Sequence, residues 1–131
     1  MCRAWAMRDR RTTVIAISLL SALVILLVLE FQTKIIRRTF DDVMYDNRFH
    51  YIACEKLPRL AEVDKADDEH QDVIRQIEAL NPGFVDVEVN ACGPENADIT
   101  FWYGSHKDRI AIETLIGSDT FFGIPYNLQN R

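Results

Sequence analysis

Residues able to carry out chemistry are few in this chain of 131 residues, which has three cysteines and three histidines. A serine nucleophile needs a histidine base held within hydrogen-bond distance. The adjacent pair Ser105-His106 does not meet this need, because the two residues open a predicted helix, where their side chains diverge. No Gly-x-Ser-x-Gly turn accompanies the pair. We therefore predict no nucleophilic catalysis and expect the protein not to be an enzyme.

Metal and cofactor sites are not predicted either. A zinc site at Cys54 and Cys92 would need further ligands at helical or knuckle spacing, and the sequence has none there. His70 falls on the apolar side of a predicted helix, which is typical of a core histidine. The same helix carries a cluster of carboxylates, namely Asp64, Asp67, Asp68, Glu69 and Asp72. This cluster lacks the spacing and the glycine of a calcium loop, so it indicates a solvated helix face.

Cys54 and Cys92 predict one disulfide if the domain that contains them lies outside the cytoplasm. Closing a loop of about 37 residues would stabilise the domain by roughly 3–4 kcal/mol. The alternative is a pair of unrelated buried thiols in a reducing compartment. No Cys-x-x-Cys motif is present, so thiol or metal chemistry at the pair ranks behind the other hypotheses. Cys2 is expected to be reduced.

Charge divides the chain into two chemically different parts. Residues 1–29 carry +3 and residues 30–131 carry −8, which together give the net charge of −5. An acidic domain repels phosphate backbones, so nucleic acid is not expected as a partner. The length allows one compact domain beside the basic N-terminal part.

Residues 12–29 form an uncharged, almost wholly aliphatic block. As a helix with a rise of about 1.5 Å per residue it would be roughly 27 Å long, close to the hydrocarbon thickness of a bilayer. A buried helix of a soluble core would need a polar side, which Ser18 and Ser21 do not make. A cleaved signal peptide would need a shorter apolar run and a small-x-small site after it. We interpret residues 12–31 as an uncleaved transmembrane signal anchor, preceded by a head of residues 1–11.

The basic residues around this span predict its orientation. Those that precede it are Arg3, Arg8, Arg10 and Arg11. Lys34, Arg37 and Arg38 follow it, so the positive-inside rule favours a cytoplasmic N-terminus by four residues against three. The C-terminal domain, residues 49–131, is then extracytoplasmic, that is, periplasmic or extracellular.

Residues 32–48 are predicted to form a juxtamembrane amphipathic helix or stalk. Its apolar stripe, which starts at the end of the span, consists of Phe31, Ile35, Ile36, Phe40, Val43 and Met44. Such a stripe can lie on the bilayer, pack on the domain or pair with a partner helix. Ile35 and Phe40 are candidate partner-binding residues of this stalk.

The rest of the sequence predicts six elements in the order β-α-β-β-α-β. Their ranges are 49–54, 58–80, 84–89, 99–103, 105–117 and 121–128. Ser105 begins a capping box that includes Asp108, and Gly117 ends the second helix. The order is that of a ferredoxin-like α+β domain with an antiparallel sheet, in which the last strand lies at an edge and tolerates Pro125. The alternative is a β-α-β-β-α arrangement followed by an irregular tail.

Aromatic residues are concentrated towards the C-terminus, from Phe101 onwards. If Ile99, Phe101 and Tyr103 face the helices, Trp102 projects from the opposite side of the sheet. That side is open unless the stalk or the tail covers it, so it is a candidate binding surface. The other candidate partner-binding residues are Phe121, Phe122 and Tyr126.

The sequence as a whole predicts a non-enzymatic single-pass membrane protein without cofactor. It would serve as an accessory or assembly subunit of a larger membrane complex, with the bilayer and other membrane-protein subunits as its partners. Its span, stalk and extracytoplasmic domain would make the contacts. The alternative is an extracytoplasmic ligand-binding or sensor domain that signals through a partner, since a head of eleven residues leaves no room for an output domain.

Overall fold

The computed structural model describes the backbone of residues 2–131 and the side chains of residues 11–131. The predicted head, including Cys2, therefore lies outside the described side chains, except for Arg11. The first helix, α1, extends over Cys2–Thr33, and the second, α2, over Ile35–Tyr45. Lys34 separates them in a left-handed conformation, with φ 52°.

The chain forms two compact units, a first that ends at Arg37 and a second from Arg38 to Arg131. Within α1, the segment Arg11–Thr33 is long and apolar enough to cross a membrane by length and composition, and none of its apolar window is buried. The prediction of an apolar N-terminal helix is confirmed, and the predicted span of residues 12–31 lies inside this segment.

The second unit, beyond the end of α2, contains three further helices and four strands. The helices are α3 (Leu60–Glu69), α4 (Gln71–Glu78) and α5 (His106–Ile116). The strands are β1 (Asp86–Cys92), β2 (Asn96–Tyr103), β3 (Thr120–Phe121) and β4 (Ile124–Asn130). A single 3₁₀ turn at Cys54–Lys56 precedes α3.

Local sequence explains where these helices begin and end. The Ser105 hydroxyl accepts a hydrogen bond from the backbone N–H of Asp108 at 3.3 Å, and Gly117 ends α5 with φ 67°, as the capping pattern predicts. The predicted helix 58–80 is divided into α3 and α4 by His70, whose φ of −117° and ψ of 27° are not helical.

The four strands form one mixed sheet in the order β1-β2-β4-β3. β1 pairs with β2 in antiparallel register, and β2 pairs with β4 in parallel register. Parallel neighbours need a crossover connection, and α5 lies in the connection from β2 to β4. β3 and β4 form a short antiparallel hairpin. An α+β domain with a four-stranded sheet is thus confirmed.

The ferredoxin-like topology with an antiparallel sheet is wrong. The predicted first strand, residues 49–54, is absent from the sheet, because Tyr51 has a left-handed backbone with φ 55° that interrupts an extended chain. Arg48 alone forms an isolated bridge, to Leu128 on the outer side of β4. β4 therefore lies directly beside β2 and is not an edge strand. Pro125 is tolerated there because pairing with β2 begins one residue later.

The alternative with an irregular tail is also wrong, because β4 is paired on both sides. One face of the sheet packs against the helices to form the core. Its fully buried side chains include Val63, Ile77, Ile99, Phe101, Tyr103, Ile112, Phe121 and Leu128. The predicted pair Cys54–Cys92 forms a disulfide with a Cα–Cα distance of 5.7 Å, which joins the turn before α3 to the end of β1.

Candidate functional site

A polar cleft of about 670 Å³ lies within the second unit. It is bordered by α2, the segment 47–51 that follows it, and α5. Its charged lining residues are Arg38, Asp42, Arg48, Arg109, Glu113 and Asp119. The cleft is thus lined by side chains of both charges, and most of them are paired with one another.

Arg109 on α5 is at the centre of this pairing, with only 9% of its side chain exposed. Its guanidinium contacts Asp42 at 2.5 Å, Asp46 at 2.8 Å and Glu113 at 3.4 Å. Burial by itself lowers the pKa of Arg109, but the hydrogen bonds to Asp42 and Asp46 outweigh burial and raise it. Arg109 thus remains a cation that holds α2 against α5.

Arg48 extends the charged network towards the sheet. Its guanidinium contacts Glu113 at 3.1 Å and Asp119 at 2.7 Å. Its backbone N–H donates to the carbonyl of Leu128, and its carbonyl accepts from the N–H of Leu128, each at 2.8 Å. Arg48 therefore connects β4 to α5 and to the turn before β3.

Asp46, directly after α2, adopts a left-handed conformation with φ 55°. Its carbonyl oxygen accepts a hydrogen bond from the Tyr103 hydroxyl, and its Oδ1 atom contacts Nδ1 of His106 at 2.7 Å. Burial raises the pKa of Tyr103 and the Asp46 carboxylate raises it further, so the phenol stays protonated and acts as the donor. These contacts anchor the end of α2 to β2 and α5.

His50 is held on the other face of the sheet. Its Nε2 atom lies 2.7 Å from Oδ2 of Asp98, and its Nδ1 atom accepts from the backbone N–H of Ile52 at 2.9 Å. A neutral ring with the proton on Nε2 satisfies both contacts. Asn127 donates to the same carboxylate oxygen at 2.9 Å. With both ring nitrogens occupied, His50 fixes the segment after α2 to the sheet.

Trp102 projects from the face of the sheet opposite the core and is partly exposed, as predicted. Its indole N–H donates to Glu88 at 3.0 Å, and the guanidinium of Arg131 lies 5.3 Å from the ring centroid. The C-terminal residue and the His50 segment thus cover parts of this face. On the same face of β2, Asp98 and Thr100 are buried, and Trp102 is the residue that stays partly exposed.

The other candidate residues lie on separate elements. Phe121 is fully buried and Tyr126 is 6% exposed, so both pack in the core and neither is available to a partner. Phe122 is 55% exposed and stacks on His70 with ring centroids 3.4 Å apart. Ile35 and Phe40 on α2 are exposed, the latter against Tyr45.

Sequence reasoning missed the charged network, although one signal for it was present. Arg109 lies three residues before Ile112 on α5, so the helical period places a charge on the buried side of the helix. A charge at such a position requires partners of opposite sign. Asp42 on α2 and Asp46 directly after it are distant in sequence, 63 residues away for Asp46, and no local pattern identifies them as partners.

Comparisons with known proteins found no similarity to this chain: no family model matches, no curated protein matches, and no solved structure matches. The functional argument therefore depends on the geometry of the chain itself.

Proposed function

We propose that this protein is a non-enzymatic, single-pass membrane protein that serves as an accessory or assembly subunit of a larger membrane complex. Its N-terminus would be cytoplasmic and its folded unit extracytoplasmic. One observation carries the proposal: α1 and α2 follow each other in the chain, and the apolar side chains of both that the structure describes are exposed.

Apolar surface of this extent needs a cover, and residues 11–131, whose side chains the structure describes, do not supply it. The large apolar side chains of α1 between Val14 and Leu29 are each more than half exposed. Isolated exposed hydrophobic residues are ordinary on soluble proteins, but a contiguous surface of this kind marks a membrane or protein contact. A bilayer covers a helix of this length, and neighbouring spans compete with lipid for part of it.

The disulfide supports the proposed side of the membrane. Cys54 and Cys92 lie 38 residues apart in sequence and are bonded in the folded unit. Stable disulfides form and persist in oxidising compartments, which for a membrane protein means the extracytoplasmic side. The orientation favoured by the flanking basic residues agrees with this side.

Affinity purification of the full chain from mild detergent tests the proposal. We expect other membrane subunits to copurify in a fixed ratio. Trp102→Ser removes the partly exposed aromatic side chain on the sheet face opposite the core and should reduce that recovery. Phe84→Ser is the matched control. It changes an aromatic residue just before β1 that is 60% exposed. Recovery of the free monomer alone would contradict the proposal.

A second candidate function is ligand binding, and the polar cleft favours it. Arg38, Arg48 and Arg109 place three guanidinium groups around a volume large enough for a small molecule, and Arg38 lies 5.3 Å above the ring of Tyr51. A small polar ligand suits this lining, in which the guanidinium groups of Arg48 and Arg109 are already paired with carboxylates. Thermal unfolding of the full chain against a panel of such compounds is the test, with Arg48→Met expected to abolish any ligand-dependent shift.

A further inference from the structure

We propose that α2 lies on the bilayer, with its apolar face in the interfacial layer of the membrane that α1 spans. The apolar face of α2 is defined here as Ile36, Phe40, Val43 and Met44. The inference rests on the proposed function, because it takes α1 to be transmembrane. It goes further by assigning a specific lipid-binding surface to α2.

The four residues occupy one side of the helix. Their positions are separated by four, three and one residues, which is the spacing of a single helical face. Ile36 is 62% exposed, Phe40 51%, Val43 73% and Met44 64%, and α2 has no buried residue. The apolar side of the helix is thus exposed.

The opposite side of α2 holds the helix on the folded unit. Asp42 contacts the buried guanidinium of Arg109, and Asp41 accepts a hydrogen bond from the Tyr51 hydroxyl. An amphipathic helix of a soluble domain ordinarily buries its apolar side. In α2 the charged side is attached to the domain instead, so the apolar side cannot turn inward without breaking the contact of Asp42 with Arg109.

Continuity with the span identifies lipid as the occupant. Lys34 is the single residue between the end of α1 and the start of α2. The carboxylate of Glu30 accepts hydrogen bonds from the backbone N–H groups of Ile36 and Arg37, at 2.8 and 3.0 Å. If α1 spans the bilayer, the first turn of α2 therefore begins at the level of the headgroups, where the nearest apolar surface is the membrane.

Charge at the start of α2 complements the headgroups. Lys34 and Arg37 bring two positive charges to the part of the helix closest to the span, whereas Arg38 contacts the ring of Tyr51 on the domain. Basic residues beside an apolar face are typical of helices that lie in the membrane interface, where they interact with lipid phosphates. The acidic residues of α2, Asp41 and Asp42, point to the domain and away from this surface.

Tryptophan fluorescence of the full chain in vesicles tests the inference. The vesicles contain equal parts of phosphatidylcholine and phosphatidylglycerol, with and without bromine on the acyl chains. In a background with Trp5→Phe and Trp102→Phe, one reporter is introduced at a time. Phe40→Trp reports on α2, and Phe84→Trp is the matched control at an exposed phenylalanine of the domain. Leu20→Trp, in the middle of the span, reports on insertion of α1.

We expect bromolipid to quench Phe40→Trp, with a blue-shifted emission, and to leave Phe84→Trp unchanged. Quenching of Leu20→Trp without quenching of Phe40→Trp would overturn the inference and leave the proposed tether intact. Failure of Leu20→Trp to be quenched would contradict the proposed function itself. A Phe40→Trp signal shielded from both bromolipid and aqueous iodide would mean that a protein covers α2, which also overturns the inference.

Discussion

Arg109 is the residue on which three carboxylates of the second unit converge. Replacing it by methionine keeps the apolar stem but leaves Asp42, Asp46 and Glu113 without their shared cation. We expect Arg109→Met to lower the free energy of unfolding by about 2–4 kcal/mol, because breaking a buried ion pair leaves uncompensated charge. Urea denaturation of the full chain in detergent measures the change.

Two variants make this result specific. Arg109→Lys keeps the positive charge but lacks the planar guanidinium group that contacts several carboxylates at once. The stability of this variant should therefore fall between those of the wild type and Arg109→Met. Arg75→Met removes an exposed arginine of α4 and should alter the free energy of unfolding by less than about 0.5 kcal/mol. Equal losses for Arg109→Met and Arg75→Met would refute the assigned role.

The carboxylate of Asp108 makes the stability of the domain depend on acid pH. Asn81 donates to it at 3.0 Å and Ser105 at 2.8 Å. The hydrogen bond from Asn81, with that from Ser105, lowers the pKa of Asp108 below its ordinary value of 3.8, although burial opposes the shift. The folded state thus prefers the ionised form. This stabilisation is complete above the unfolded pKa and is lost as the pH falls through the lower, folded pKa.

We therefore expect Asp108→Asn to lower the free energy of unfolding at neutral pH and to flatten its decline on acidification. Unfolding of the wild type and the variant at a series of pH values from neutral to strongly acidic measures both effects. Because other carboxylates also titrate, the difference between the two profiles is the quantity of interest. Parallel profiles over this range would show that Asp108 does not contribute.

At the scale of elements, local signals predicted α5, β1 and β2 because each depends on residues close in sequence. Ser105 and Gly117 act within one turn of the helix ends, and strict alternation defines the strands. The segment 49–54 has the aromatic composition of a strand and yet is not one. Tyr51 adopts a positive φ there, and His50 bonds to Asp98, 48 residues away. A contact across that distance cannot be read from local composition.

The predictions about the stalk and the partner-binding residues were likewise possible where they depended on local spacing and failed where they depended on contacts between distant residues. The apolar stripe on residues 32–48 could be predicted from its spacing, and so could its three possible uses. Which side of α2 faces the domain depends on Asp42 meeting Arg109, a contact between residues far apart in the chain. Burial of Phe121 and Tyr126 likewise follows from the pairing of β4 with β2 and β3, which the expected topology did not contain.

The disulfide links two elements that local sequence does not connect. Cys54 precedes α3 and Cys92 ends β1, so the bond closes a loop across the core. We expect Cys54→Ala with Cys92→Ala to lower the free energy of unfolding by about 3–4 kcal/mol, since the unfolded chain regains loop entropy. Cys2→Ala is the matched control and should leave stability unchanged. A reducing agent should lower the free energy of unfolding of the wild type in the same way. If alkylation shows that Cys54 and Cys92 are both reduced and the free energy of unfolding is nevertheless unchanged, this expectation is contradicted.

At the scale of the whole molecule, the net charge of −5 is the sum of a basic N-terminal part and an acidic remainder of the chain. The acidic unit gains nothing from an anionic bilayer as a whole. Under the proposed arrangement, only the basic start and the apolar face of α2 approach the lipid.

Orientation is the whole-molecule property most sensitive to a few charges. Alkaline phosphatase fused after Arg131 should be active in bacterial cells, because the enzyme matures only outside the cytoplasm. Arg8→Gln with Arg10→Gln leaves two basic residues before the span against three after it, so phosphatase activity should fall. Lys65→Gln with Lys107→Gln removes the same charge far from the span and should change nothing. An inactive wild-type fusion would place the domain in the cytoplasm and would also make its disulfide unexpected there.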